Sequence, residues 1–230
     1  YPNGLLSEFE DYLQQQPAPD ASPSTQATWF ARVSIWKVII HTLKHTLEES
    51  VALVDEIYTQ LNEQFTGKIS PSSELVIYNN CSIIYFCDRQ FDKSLTILQH
   101  LLDYKNDSAR KDVKVHLRIW YLIVHLELQN DLLLEHAIRS VKRYAVNQEF
   151  YFEFEALFMR FFQKYINTPL KVRQQLFPPL LESIEELEAN NERDRDFIKK
   201  QMVLKLWVVH KITGENLFYL GQKYSTKEEE

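Results

Sequence analysis

Residues 75–106 constrain the fold more than any other stretch of the chain. Their pattern predicts one helix over 75–87, a turn over 88–91 and a second helix that runs to the end of the stretch. The first of these helices is apolar on nearly every side. Because a helix with no polar face has to be covered all round, it must lie between neighbouring helices. The chain is therefore expected to contain several packed helices and not one amphipathic pair.

The spacing of large and small residues in this stretch resembles the tetratricopeptide (TPR) repeat. The small residues Ser82 and Ser94 stand where that repeat has small residues, and the bulky Tyr78, Tyr85 and Leu98 stand where it has large ones. Small residues at these positions let two helices cross closely. The resemblance implies antiparallel helix pairs that stack into an α-α superhelix.

The same spacing recurs on both sides of the central stretch. Residues of the pattern lie sixteen positions apart in the pairs Trp36–Ala52, Tyr78–Ser94 and Tyr121–Ala137. Their aromatic members are separated by 42 and 43 residues, which exceeds the 34 residues of a TPR and overlaps the length of HEAT-like helical repeats. We therefore expect three helix pairs with helices or turns longer than those of the standard repeat.

Composition supports a helical fold class. The chain has only 4 glycines among 230 residues, so turn signals are few along it. The predicted class is all-α, with the architecture of a right-handed α-α superhelix of TPR-like antiparallel helix pairs.

The predicted organisation follows from changes in composition along the chain. The chain begins at Tyr1 instead of Met, and we expect it to be an excised or processed piece of a longer protein. The predicted regions are a short helix from a truncated upstream element at 1–16, a Pro/Ser-rich linker at 17–28, three TPR-like helix pairs at 29–147, C-terminal helices packed on the array at 148–222, and a charged tail at 223–230.

Local signals define several helix ends in more detail. Gly67 and Gly214 are predicted to end helices. The adjacent prolines at 178–179 must break or restart a helix. An aromatic helix is predicted over 148–166, with its phenylalanines in the core, and a last long helix over 195–212.

The resemblance to TPR proteins implies a non-catalytic scaffold that binds a protein or peptide on its concave face. Some TPR proteins hold peptide C-termini with Lys, Asn and Arg side chains on the first helix of each pair. Asn80 falls at a position that such clamps use, whereas Ile83 and Leu122 occupy positions where a clamp has polar residues, so the full clamp is absent. The predicted partner-binding residues are Asn79, Asn80, Ile83, Lys114, Arg118 and Leu122.

No sequence motif for catalysis or cofactor binding is present. The sequence has no Gly-rich phosphate loop, nucleophile elbow or paired zinc cysteines, so we expect neither an enzyme nor a cofactor. His41, His45 and Glu48 share one helix face and could hold a metal, but Lys37 and Lys44 lie on that face too, and a solvated face is the better interpretation.

The two cysteines are predicted to be structural. Cys81 and Cys87 lie six residues apart in one helix, which directs their thiols to opposite faces and prevents a disulfide. We expect two small buried apolar residues and, in keeping with free thiols, a cytoplasmic location.

Charge and hydropathy limit the class of partner. The net charge of −6 argues against nucleic acid or an anionic membrane as the partner, and no apolar run approaches the ~20 residues of a membrane span. Two alternatives to a protein-binding scaffold stay open. One is a self-assembling module, a homo-oligomer joined through the aromatic C-terminal helices. The other is a small-ligand sensor with a pocket among Tyr78, Tyr85 and Trp120.

Overall fold

The computed structural model describes residues 20–103, 111–146 and 152–227, and the regular structure in these ranges is entirely helical. The predicted all-α class is confirmed. The predicted N-terminal helix at 1–16 and residues 228–230 of the predicted tail lie outside the described ranges.

The helices follow one another with short connections. The α-helices are α1 (Pro23–Lys44), α2 (Leu47–Gln60), α3 (Pro71–Cys87), α4 (Phe91–Asp103), α5 (Lys111–Glu127), α6 (Asp131–Val146), α7 (Glu153–Ile166), α8 (Phe177–Asn190), α9 (Glu192–Lys200), α10 (Met202–Thr213) and α11 (Leu217–Lys227). A π-helical turn at Leu61–Phe65 follows α2, and a 3-10 segment at Leu170–Leu176 precedes α8.

Helix α1 begins earlier than the sequence pattern predicts. It starts at Pro23 and not at Trp29, so six residues of the predicted linker are helical. The Ser22 hydroxyl accepts a hydrogen bond from the Thr25 amide at 3.2 Å, and Pro23 occupies the first helical position. A proline there costs little because the first amide of a helix has no intrahelical acceptor, and its φ already suits a helix.

The C-terminal region contains one more break and one more helix than predicted. The long helix expected over 195–212 is interrupted at Gln201, whose φ of −115° and ψ of 30° are not helical. The break lets α9 pack on α7 and α8, while α10 packs on α8. Helix α11 then extends over the first five residues of the predicted charged tail.

The predicted glycine and proline signals are confirmed. Gly67 and Gly214 have φ values of 69° and 76°, in the left-handed region that glycine adopts without strain. The prolines at 178–179 lie in the first turn of α8, so a new helix does restart there.

The contacts divide the chain into two compact units, Tyr1–Gln90 with Gly221–Glu230, and Phe91–Leu220. In the first unit, α1, α2 and α3 each pack on the other two. Helix α1 contributes small buried residues, among them Ala27, Ala31 and Ser34, and α3 is buried on most of its surface, as its all-round apolar pattern predicts. The two helices of the 75–106 stretch belong to different units.

The second unit is built from helices that pack mainly on their neighbours in sequence. Helix α5 packs on α4, α6 and α7, and α7 in turn packs on α6 and α8. Helices α9 and α10 both pack on α8.

An aromatic cluster around Trp207 forms much of the core of this second unit. The indole is fully buried, and its ring centroid lies 5.5 to 6.4 Å from those of four phenylalanines. These are Phe158, Phe161, Phe162 and Phe177. Three of them come from α7, which confirms the prediction that the aromatic helix is a core helix.

Candidate interaction surface

Three of the predicted partner-binding residues lie on α3 in the first unit. The side chains of Asn79, Asn80 and Ile83 are half-buried. The amide oxygen of Asn79 is enclosed and has no hydrogen-bond partner among the described residues. An unpaired buried acceptor costs stability, so Asn79 is the member of this group with an unfilled hydrogen-bonding requirement.

The other three predicted residues lie on α5 in the second unit. Leu122 is fully buried, so its side chain belongs to the core and cannot contact a partner in this conformation. The Arg118 guanidinium carbon lies 3.5 Å from the centroid of the Tyr144 ring. Burial lowers the pKa of Arg118. Lys114 is part of α5, but its side chain lies outside the described part. The two halves of the predicted set therefore sit in separate units.

A different surface of the second unit is anchored by Glu127 at the end of α5. One carboxylate oxygen accepts a hydrogen bond from the Trp207 indole nitrogen at 2.8 Å, and the other accepts one from the Lys211 ammonium at 3.0 Å. The Glu127 side chain is mostly buried. A buried carboxylate with two donors is well compensated, whereas loss of either partner leaves a costly unpaired group.

A second charged contact fixes the 3-10 segment beside the start of α6. The Arg173 Nη1 donates a hydrogen bond to Asp131 Oδ1 at 2.9 Å, and its Nη2 lies 2.9 Å from Asp131 Oδ2. The Arg173 Nε donates to the Thr168 carbonyl at 2.9 Å. The Asp131 carboxylate raises the pKa of Arg173. This fork geometry holds both groups in defined orientations. The side-chain amide of Gln174 also donates to the carbonyl of Lys211. We refer to Glu127, Asp131, Arg173 and Lys211 as the polar frame.

Large apolar side chains surround this frame without being covered. Leu132 and Leu133 are 79% and 54% exposed, Leu170 is 74% exposed, and Val172 and Ile212 are each 38% exposed. Leu132 follows Asp131 in the chain, Val172 precedes Arg173, and Ile212 follows Lys211. Because the frame ties those charged residues together, the segments that carry the five apolar residues lie at one end of the unit. We call them the leucine patch.

Sequence reasoning missed this surface, although one signal pointed to it. Residues 132–134 are three consecutive leucines. Successive residues on a helix point about 100° apart, so three in a row span more than one face, and a helix packed on one side cannot cover them all. Leu134 is fully buried, and the two leucines before it are not.

His41, His45 and Glu48, which the sequence places on one helix face, do not form a ligand set. The rings of His41 and His45 stack with centroids 4.2 Å apart, and His45 lies 3.6 Å from Glu49 instead of pairing with Glu48. Across residues 20–103, 111–146 and 152–227, no three His, Cys, Asp or Glu side chains are grouped as a metal site requires.

The cysteines are buried as predicted. Both Cys81 and Cys87 are free thiols, and burial raises the pKa of each to about 12. A thiol with such a pKa stays protonated and unreactive at neutral pH.

The aromatic residues named in the two alternatives are core residues. Tyr78, Tyr85 and Trp120 are nearly or fully buried. The Tyr85 hydroxyl donates to Asp55 at 2.7 Å and the Tyr78 hydroxyl to Asn62 at 3.1 Å. Of the α7 phenylalanines, Phe158, Phe161 and Phe162 lie against Trp207, and Phe154 is fully buried. An open recess of about 280 Å³ on α1 is lined by Ser24, Thr25, Thr28, Trp29 and Arg32, all from one helix.

Comparison with known proteins returned no match among family models, curated proteins or solved structures. None of the helices within the described ranges has the length and apolar character required to cross a membrane.

Proposed function

We propose that this chain is a non-catalytic scaffold that binds a protein or peptide partner. The observation that carries the proposal is the leucine patch. Large apolar side chains that are exposed at one end of a unit are often part of an interaction site. The polar frame holds the surrounding backbone in place, so little conformational entropy would be lost there on binding.

We further propose that the second unit is a TPR-like array within a right-handed α-α superhelix. The packing of α5 on α4, α6 and α7 supports this, because in stacked helix pairs a helix contacts its own partner and the helices of adjacent pairs. The buried free thiols fit a cytoplasmic location, which is part of the same proposal.

Affinity capture with matched variants tests the function. The 230-residue chain would be compared with a Leu132→Ser, Leu133→Ser variant, with an Asn79→Asp, Asn80→Asp, Arg118→Glu variant, and with a Tyr219→Ser control that removes an exposed aromatic residue outside the patch. We expect a defined protein to be retained by the chain and by the control and to be lost with the double serine variant. Loss only with the Asn/Arg variant would assign binding to the predicted concave face instead.

Self-assembly is the second candidate function, and the same patch is the observation that favours it. A second copy of the chain could cover the exposed leucines. Sedimentation over a wide concentration range distinguishes the two functions, because a self-assembling chain gains mass with concentration, and the Leu132→Ser, Leu133→Ser variant would then stay monomeric.

A further inference from the structure

We propose that residues 5–16 of this chain dock as a helix on the outer side of α1, antiparallel to it. The inference concerns a surface of the first unit and does not rest on the leucine patch. It follows from three observations: the exposed apolar side of α1, the apolar pattern and charge of residues 5–16, and the short connection between the two.

Helix α1 has large apolar side chains on the side that does not face the core. It packs on α2 and α3, and its buried residues include the small Ala27 and Ser34. Trp36, Ile39 and Leu43 are 44%, 38% and 38% exposed. Because they follow one another at intervals of three and four residues, these three lie on one helix face, roughly opposite the small residues. We call them the outer stripe. A helix that is apolar on two sides has to be covered on both.

Residues 5–16 have the sequence pattern of a helix that covers such a stripe. Their apolar residues recur at the spacing of one helix face and are Leu5, Leu6, Phe9, Tyr12 and Leu13. At 100° per residue these five fall within an arc of about 120°, and every other position of the segment is polar or charged. A helix this short is marginal in water by itself, so its stability depends on an apolar surface that covers this face.

The charges of the segment and of α1 are opposite. Residues 5–16 include three acidic residues and no basic one. Helix α1 has three basic residues, Arg32, Lys37 and Lys44, and no acidic one. Within the described ranges, neither Arg32 nor Lys37 forms an ion pair. This complementarity favours association of the segment with α1 over association with an acidic helix.

The connection between the segment and α1 favours the chain's own segment over a second copy. Residues 17–22 span at most about 20 Å when fully extended. Antiparallel helices are joined by short loops of this kind, and the arrangement brings Leu13 toward Trp29, near the start of α1. Leu5 then lies in the direction of Leu43. A tether this short gives an effective concentration in the millimolar range, so a second copy competes only when its own concentration is similar.

Hydrogen exchange in the 230-residue chain tests the inference, with a synthetic peptide of residues 1–22 as the reference for a free segment. We expect the amides of residues 5–16 to exchange at least about 10-fold more slowly in the chain than in the peptide. Phe9→Ser and, separately, the Ile39→Ser, Leu43→Ser variant should each return them to within about 2-fold of the peptide's rate. The Leu132→Ser, Leu133→Ser variant is the matched control and should retain the slow exchange.

Two further measurements test the charge and the intramolecular character of the contact. Lys37→Glu should speed the exchange of residues 5–16 about 3-fold at low salt, whereas Lys199→Glu, at an exposed position of α9, should leave it unchanged. The exchange rate should also be the same at chain concentrations of about 1 and 100 µM, because a tethered segment binds independently of concentration.

The opposite results overturn the inference. Exchange of residues 5–16 that is as fast in the chain as in the peptide shows that the segment does not dock. Slow exchange that persists in the Ile39→Ser, Leu43→Ser variant places the segment elsewhere, and exchange that slows as the chain concentration rises assigns the contact to a second copy. The amides of α3 report whether each variant is folded. If the outer-stripe variant unfolds, Phe9→Ser and Lys37→Glu decide, and slow exchange retained in both overturns the inference.

Discussion

Arg89 and Gln129 occupy equivalent positions in two helix ends that lie forty residues apart. Each has a positive φ, 62° and 57°, and each follows a helix closed by the same pair of hydrogen bonds. In the first, the amides of Arg89 and Gln90 donate to the carbonyls of Phe86 and Tyr85. In the second, the amides of Gln129 and Asn130 donate to the carbonyls of Leu126 and His125, and each of these residue numbers is higher by forty. The chain therefore repeats this local turn once, after forty residues, whereas the aromatic residues of the pattern are 42 and 43 residues apart.

This equivalence predicts that glycine is preferred at both positions. A side chain in the left-handed region costs about 1 kcal/mol or more, and natural helix ends of this type usually carry glycine. Arg89→Gly and Gln129→Gly should each raise the free energy of unfolding by about 0.5–1 kcal/mol in urea titrations. Gln129→Val is the matched comparison, because a β-branched side chain should destabilise the same turn. If the Gln129→Gly and Gln129→Val variants are equally stable, the backbone at position 129 is not in the left-handed region.

The Glu127 contact should be a major determinant of stability in the second unit. Glu127→Ala leaves both the Trp207 indole and the Lys211 ammonium without their acceptor, and we expect a loss of about 3 kcal/mol in the free energy of unfolding. Glu127→Gln retains an oxygen for the indole and should cost about half as much. Glu135→Ala removes an exposed ion pair with Arg139 and should cost less than about 0.5 kcal/mol. If Glu127→Ala and Glu135→Ala lower the free energy of unfolding by similar amounts, the contacts of Glu127 with Trp207 and Lys211 do not stabilise the fold.

Two buried histidines on α5 predict a loss of stability in acid. The Nδ1 of His116 and both ring nitrogens of His125 have no hydrogen-bond partner among the described residues. Burial lowers the pKa of His116 to about 4 and also lowers that of His125. Since the folded state disfavours the protonated ring, the stabilisation is complete above the unfolded pKa of about 6.5 and is lost as the pH falls toward 4.

Urea unfolding at pH 7.5 and pH 5 measures this effect for His116. The native chain should lose about 2 kcal/mol more over this interval than a His116→Leu variant, which cannot take up the proton. His136→Leu, at an exposed position, is the control and should leave the pH dependence unchanged. A His116→Leu variant with the same pH dependence as the parent chain would contradict the burial of a neutral ring.

Adjacent leucines of α6 are predicted to differ greatly in their effect on stability. Leu132→Ser and Leu133→Ser should change the free energy of unfolding by less than about 0.5 kcal/mol, because both side chains are exposed. Leu134→Ser should cost about 3 kcal/mol or more, because that side chain is fully buried. Thermal or urea denaturation of the three variants provides the comparison. A large loss at Leu132 or Leu133 would show that the patch belongs to the core.

The sequence was most informative where a local rule acts alone. Gly214 ends α10, the prolines at 178–179 restart a helix, and the phenylalanines of α7 are in the core, each through backbone or periodicity effects contained in a few residues. Pro23 was misjudged because a proline can open a helix as well as end one. Arg89 and Gln129 were missed because neither is the glycine that usually marks a left-handed position.

The candidate surface depended on information that the sequence does not contain locally. Leu122 and Leu133 are both leucines on predicted helices, yet the first is in the core and the second is exposed. The difference comes from which helices pack around each, and that is a tertiary property. The contact between Asp131 and Arg173 joins residues 42 positions apart, so no spacing rule could have located the patch that surrounds it.

Site-specific photo-crosslinking at position 133 tests the central claim most directly. A photoreactive amino acid would replace Leu133 in one variant and Tyr219 in a control, and each would be irradiated in native extract and its crosslinked products sequenced. We predict one dominant product from position 133 that is absent from position 219, with the crosslink in a different protein. Products that are the same from both positions, or none from position 133, would contradict the claim that the leucine patch is a binding surface.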